Sequence, residues 1–213
     1  MNLKNVLIFG DSYSTFEGYI PDGFEVFYSK TEGGETDVRA VEDTWWYPLI
    51  KETDSRLIQN NSWSGSPICY IGYNGSDCSK TSSFICRLER LQDAGFFKEN
   101  EINTIFVFGG TNDSCAGSPI GELKYSDWEE QDLYSVLPAF CFLIYRLKQL
   151  IPNADIVCII NTDLKPQISE GFKTACNHFG IKSVALADID KRGGHPTIKG
   201  MKEIKNQIID SLS

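Results

Sequence analysis

Four short polar segments carry side chains that can do acyl chemistry together: Gly10-Asp11-Ser12-Tyr13-Ser14, Ser64-Gly65-Ser66, Gly110-Thr111-Asn112-Asp113 and Gly194-His195-Pro196. A serine hydroxyl is a poor nucleophile until an adjacent base takes its proton. Histidine can do so near neutral pH, because its unperturbed pKa is about 6.5. The chain has two histidines. His178 falls near the C-terminal end of a helical pattern, where positive charge is favourable, and reads as structural. His195 has no such explanation and is the candidate general base for Ser12. A tetrahedral intermediate then needs hydrogen-bond donors aimed at its oxyanion. The backbone N–H groups of Ser12 and Gly65 and the side-chain amide of Asn112 can supply them. Each residue alone has a plainer reading: Ser12 as a helix N-cap, Asn112 as a turn residue, Gly65 as a backbone hinge. Their joint presence favours the chemical one. Asp11 reads as a brace for its turn. Tyr13 and Trp63 are expected to line a substrate pocket, and Trp45 and Trp46 to be core or wall aromatics.

The elements that position these segments are visible as five apolar runs: 5–9, 56–60, 104–108, 155–161 and 182–187. Most are nearly continuous in Val, Ile and Phe, as strands buried on both faces are. Between them lie helical patterns over 44–53, 81–92, 128–150 (with a kink expected at Pro138), 166–179 and 196–212. Pro166 and Pro196 stand where the last two should begin, a favoured place for proline. Strands alternating with helices predict an α/β fold with a central parallel sheet of about five strands between two helical layers. Ligands of such sheets bind beyond the carboxyl ends of the strands. Three of the four polar segments follow a predicted strand directly, and the fourth precedes the last helix. One domain is expected over 1–213. Its long irregular stretch, 17–43, carries Phe24, Phe27 and Tyr28 and is expected to fold as a cover over the site.

Composition narrows the class. Asp plus Glu number 29 against 20 Lys plus Arg, for a net charge of −9, which disfavours a nucleic-acid partner. No stretch approaches the ~20 apolar residues of a spanning helix, and the apolar run 6–9 is too short for a signal-peptide core, so a cytoplasmic location is expected. The seven cysteines are irregularly spaced with no C-x-x-C pair. This favours free thiols over a zinc site or disulfide framework, with a Cys69–Cys78 bridge as the oxidised alternative. Phosphate-loop, dinucleotide-binding and H-E-x-x-H motifs are absent, as is the G-x-S-x-G elbow. No metal or cofactor is called for.

The four segments, in this order, resemble the four blocks of the SGNH (GDSL-like) hydrolases: Gly10-Asp11-Ser12 the first, Gly65 the second, Gly110-Thr111-Asn112-Asp113 the third, His195 the last. The resemblance implies a flavodoxin-like α/β/α sandwich and hydrolysis of a small-molecule ester, often of an acylated sugar or lipid. An acyltransferase using the same acyl-enzyme and a non-catalytic acyl- or glycan-binding relative are the alternatives. One departure stands out. The family usually has Asp three residues before the histidine, and here that residue is Arg192. Asp190 is the favoured substitute, with Gly193 and Gly194 letting the loop fold back. Asp188 or a backbone carbonyl, the latter leaving a Ser–His dyad, is the other way to orient the ring.

Overall fold

The computed structural model describes residues 3–212. In chain order the elements are β1 (Asn5–Gly10), α1 (Trp46–Glu52), β2 (Arg56–Ser62), α2 (Phe84–Asp93), α3 (Phe96–Glu99), β3 (Thr104–Phe108), α4 (Thr111–Ala116), α5 (Val136–Leu150), β4 (Asp155–Ile160), α6 (Pro166–Phe179), β5 (Lys182–Ala185), β6 (Lys191–Arg192), β7 (His195–Pro196) and α7 (Ile198–Leu212). Strands β1 to β5 form one parallel sheet in the order β2-β1-β3-β4-β5. Strands β6 and β7 are a small antiparallel pair outside it.

Alternation along the strands builds two cores. Leu7, Phe9, Ile105, Val107, Ile156 and Cys158 face α2, α5 and α6, where they pack on Phe84, Leu88, Phe140, Ile144 and Phe172. Their neighbours Val6, Ile8, Phe106, Phe108, Val157 and Ile159 face the other way, onto Trp46, Leu49, Met201, Ile204 and Ile208 of α1 and α7. Both faces of the sheet are therefore buried, which is why these strands read as unbroken apolar runs. The chain leaves β1 for one neighbour, β2, and later returns on its other side as β3. The topological switch point of the sheet thus lies beside β1, where open α/β sheets place ligands.

Two expectations are corrected. The 128–150 pattern is not one kinked helix. A 3-10 turn, Glu130–Tyr134, ends at an extended Ser135 (φ −121°, ψ 143°), and α5 starts afresh at Val136. Pro138 therefore lies in the first turn of α5, where its missing N–H had no intrahelical partner to lose. Pro196 does not open the last helix either. It pairs with Lys191 across the β6–β7 ladder, and α7 begins two residues later, with Ile198 N–H donating to Asp37 Oδ1 at 2.8 Å. All seven cysteines are free thiols, Cys69 and Cys78 included. Among the described residues no helix is long and apolar enough to cross a membrane.

Candidate active site

Ser12 opens a short 3-10 turn directly after β1, and the Asp11 carboxylate braces that turn by accepting from Tyr13 N–H at 3.1 Å. His195 reaches the same point from β7, 183 residues away in the chain, and its Nε2 lies 3.0 Å from Ser12 Oγ. Its Nδ1 lies 3.2 Å from the Gly193 carbonyl oxygen. A carbonyl can only accept, so Nδ1 carries the proton and Nε2 of the neutral ring offers its lone pair to the Ser12 hydroxyl. Two aromatic rings pack on the imidazole. Phe27 stacks on it with centroids 3.6 Å apart and planes 9° apart, and Tyr13 lies 5.4 Å away on a tilt.

The expected orienting carboxylate is elsewhere. Asp190 Oδ2 accepts from the Thr197 hydroxyl, Asp190 N–H donates to Glu203 Oε2 at 2.8 Å, and the Asp190 carbonyl accepts from Thr197 N–H at 3.1 Å. Asp190 thus staples the β6–β7 turn onto α7, and the Gly193 carbonyl occupies the position sequence reasoning assigned to it. The cause is backbone geometry. Gly193 and Gly194 both take positive φ (53° and 78°), which turns the chain so that the carbonyl of Gly193 meets the ring. Asp188 is exposed.

Gly65, in the turn after β2, sits at φ +78°, where a side chain would be strained, and the space beside it is open. Among the described residues nothing accepts from Ser12 N–H or Gly65 N–H. Asn112, in the first turn of α4, donates one Nδ2 hydrogen to the Ser66 carbonyl at 3.0 Å, and its Oδ1 accepts from Tyr73 Oη at 3.1 Å. Those two bonds fix which way the amide faces and leave its second N–H available. Trp63 pairs with Phe24 of the 17–43 segment, ring centroids 4.3 Å apart, and Ser64 N–H donates to Glu25 O at 2.9 Å.

A family model for GDSL-like lipases/acylhydrolases matches residues 4–212. The chain belongs to this family. Two solved structures described as GDSL-like lipases are similar over nearly the whole chain. The one from Bacteroides ovatus is 43% identical, with TM-score 0.90 over 100% of this chain and 99% of that one. The one from Bacteroides uniformis is 44% identical, with TM-score 0.90 over 98% and 95%. A family two carbohydrate esterase from Clostridium thermocellum shares the fold at 16% identity, with TM-score 0.67 over 100% of this chain and 64% of that one. No curated protein sequence matches. Membership supports ester hydrolysis in general as the chemistry.

In this GDSL-like protein a buried charged layer lies beneath the site, and only part of it was visible in the sequence. Arg87 is fully buried in α2. It donates to the carbonyls of Gly10 (3.1 Å), Ser82 (3.0 Å) and Asn61, and to Asn61 Oδ1 (3.0 Å) and Ser66 Oγ (3.1 Å). It thereby ties the ends of β1 and β2 to the Gly65 turn. Asp113 accepts from Ile68 and Cys69 N–H at 2.9–3.1 Å, which ties that turn to α4. Burial pushes the Asp11 carboxyl from its ordinary 3.8 up to about 7, and the neighbouring Asp113 adds to this. Burial likewise raises Asp113 and pulls Arg87 down to about 9. His195 is held below its ordinary 6.5, chiefly by burial, with Lys191 contributing. The one hint of Arg87 in the sequence is a charge beside the apolar stripe of Phe84, Ile85, Leu88 and Leu91. Phe27 was legible only as one of the aromatics of the 17–43 segment, and Tyr73 gave no such hint. His178 stacks on Tyr125, centroids 3.7 Å apart.

Proposed function

We propose that this protein is a serine esterase, with Ser12 as nucleophile and His195 as its general base, acting on a small-molecule carboxylic ester. The observation that carries this reading is the 3.0 Å contact of Ser12 Oγ with the lone-pair nitrogen of His195, whose other nitrogen is on a carbonyl. Ser12 Oγ attacks the ester carbonyl carbon while its proton passes to Nε2. The negative oxygen of the tetrahedral intermediate is received by the N–H groups of Ser12 and Gly65 and the second Nδ2 hydrogen of Asn112. Collapse breaks the ester C–O bond, and the alcohol leaves with the Nε2 proton. Water then attacks the acyl-enzyme, gives a proton to Nε2, and the acid is released as Ser12 recovers its hydrogen. Trp63 forms a wall beside the reacting centre, whereas Tyr13, expected there from the sequence, is buried and donates its hydroxyl to the Gly194 carbonyl, supporting the histidine turn instead. A fully neutral His195 is the form that can start the cycle, and its lowered pKa keeps it in that form at neutral pH.

The test is labelling with a fluorophosphonate probe, followed by peptide mass mapping. The reading requires a single adduct on Ser12, none in Ser12→Ala, and hydrolysis of chromogenic esters lost in the same variant. An unlabelled wild type that hydrolyses no ester across short and long acyl chains and acetylated sugars would overturn it. Among active substrates, confinement to short chains identifies an acetylesterase, and preference for long chains a lipase-like enzyme.

A further inference from the structure

A serine hydrolase needs its histidine held in one tautomer and plane, and needs the imidazolium stabilised once the ring has taken the serine proton. A carboxylate usually does both. Here the Gly193 carbonyl fixes the tautomer, but as a neutral acceptor it offers the imidazolium no full negative charge. The second duty is unassigned by the polar groups around the ring. The irregular 17–43 segment supplies a candidate. Phe27 lies flat on the imidazole, 3.6 Å between centroids and 9° between planes. Its own position is built in. Phe27 N–H donates to Thr15 Oγ1 at 3.0 Å, and its ring meets Tyr28 edge-on at 4.8 Å. Gly34, at φ +59°, leaves the room the ring fills, since a Cβ there would meet Phe27 Cζ at 2.8 Å. The same segment grips the chain at and just after the histidine strand. Tyr28 Oη donates to the Pro196 carbonyl at 3.1 Å, and Asp37 Oδ1 accepts from Ile198 N–H at 2.8 Å.

The geometry points to Phe27 as a positioning residue that takes over part of the missing acid's work: its ring sets the plane of His195, and its electron-rich face stabilises the imidazolium formed when Ser12 gives up its proton. A cation over an aromatic face is attracted by the ring quadrupole, more strongly where water is excluded. The inference rests on the Ser12–His195 reading for its catalytic part and on the stack alone for its physical part. The other titratable groups near the ring do not duplicate the role. The Glu35 carboxylate lies against Gly193 of the same turn but makes no hydrogen bond to the ring nitrogens, which meet Gly193 O and Ser12 Oγ. Tyr13 and Tyr28 are phenols whose protons burial holds on. Lys191 is a cation, engaged by Asn161 Oδ1 (2.9 Å), Thr162 Oγ1 (2.8 Å) and Asp163 Oδ2 (2.5 Å). Arg192, opposite His195 in the β6–β7 ladder, is exposed.

The experiment replaces Phe27 by phenylalanines carrying one, three and five ring fluorines, which keep the shape and progressively weaken the quadrupole. The His195 pKa is read by NMR of the imidazole Cε1–H in the whole protein. His178 is the only other histidine and serves as the internal reference. The expected result is a His195 pKa that falls stepwise, by roughly half to one pH unit across the series, with His178 unmoved. Ester kcat falls about three- to tenfold in the same order, and KM holds. A His195 pKa indifferent to fluorination overturns the proposal. So does a kcat that stays level while Phe27→Leu alone lowers it, because packing would then be the whole role. The pKa arm needs no substrate and is read equally in Ser12→Ala, so a failure of the esterase reading is separable from a failure of this one.

Discussion

Ser12, His195 and the three proposed oxyanion donors come from four segments that share no sequence neighbourhood, and each residue's surroundings set what its replacement should do. Asn112 has both amide ends anchored, by Ser66 O and Tyr73 Oη, so its free N–H is preorganised rather than recruited by substrate. Asn112→Ala should lower kcat by about 100- to 1000-fold with little change in KM; steady-state kinetics on a chromogenic ester would instead show a large KM change if Asn112 merely held substrate. Asp190→Asn should leave kcat close to wild type, because its carboxylate serves Thr197 and not the ring. A loss of orders of magnitude in that variant would restore it to the triad. The pH profile follows from the burial of His195. Its pKa lies below 6.5, so kcat/KM should rise with pH through a single ionisation on the acid side of that value and then level off, and His195→Ala should erase the limb. The residues proposed to react could be read in the sequence because three of the four segments follow a strand and the fourth, with His195, stands just before the last helix. The support for His195 was not, since it depends on two positive φ angles at Gly193 and Gly194 that determine which atom of the 190–194 turn faces the ring.

Strands of the central sheet were legible because burial on both faces leaves a continuous apolar run, and the helices because one apolar stripe repeats. The missed boundaries share a cause. At Ser135 and at Pro196 the local pattern runs on, while a tertiary hydrogen bond or ladder pair, Val136 N–H to Pro119 O at 2.8 Å or Lys191 against Pro196, fixes the chain differently. Helix α2 shows how an element can carry the site without touching substrate. Arg87 reaches from its buried face to the carboxyl ends of β1 and β2 and to Ser66, so the helix sets the spacing between the Ser12 turn and the Gly65 turn. Lysine at that position can reach fewer of those acceptors and lacks the planar fork. Arg87→Lys should therefore destabilise the fold by about 3 kcal/mol or more, through buried acceptors left unmet. Chemical denaturation gives that number directly. A variant as stable as wild type would show that the Arg87 contacts are replaceable and that α2 positions the turns by packing alone.

At the scale of the whole molecule the notable feature is a set of buried ionisable groups, Asp11, Arg87 and Asp113, packed under the sheet's carboxyl edge in a chain of net charge −9. Such groups make stability depend on pH in a direction set by their shifts. Asp11 goes from an ordinary 3.8 in the unfolded chain to about 7 in the fold. Between those values the folded state holds a proton that the unfolded chain has released. The contribution of Asp11 is fully present below about 3.8 and is lost as pH rises through about 7. One oxygen of this carboxyl, Oδ2, has no partner among the described residues, which makes the charged form costly and an amide a fair isostere, since Oδ1 can still accept from Tyr13 N–H. Thermal melts of wild type and Asp11→Asn from pH 4 to pH 8 isolate the effect. Packing adds a constant to the offset between the curves, and only the change of that offset with pH reports the Asp11 proton. The predicted signature is a difference that grows in favour of the variant as pH rises and levels off above about 7. His195, with its folded pKa lowered, drives stability the opposite way, its contribution lost as pH falls, but it is present in both proteins and cancels in the difference. A difference independent of pH would overturn this reading, because Asp11 would then keep one charge state in the fold across the whole range, held there by the nearby charge of Arg87.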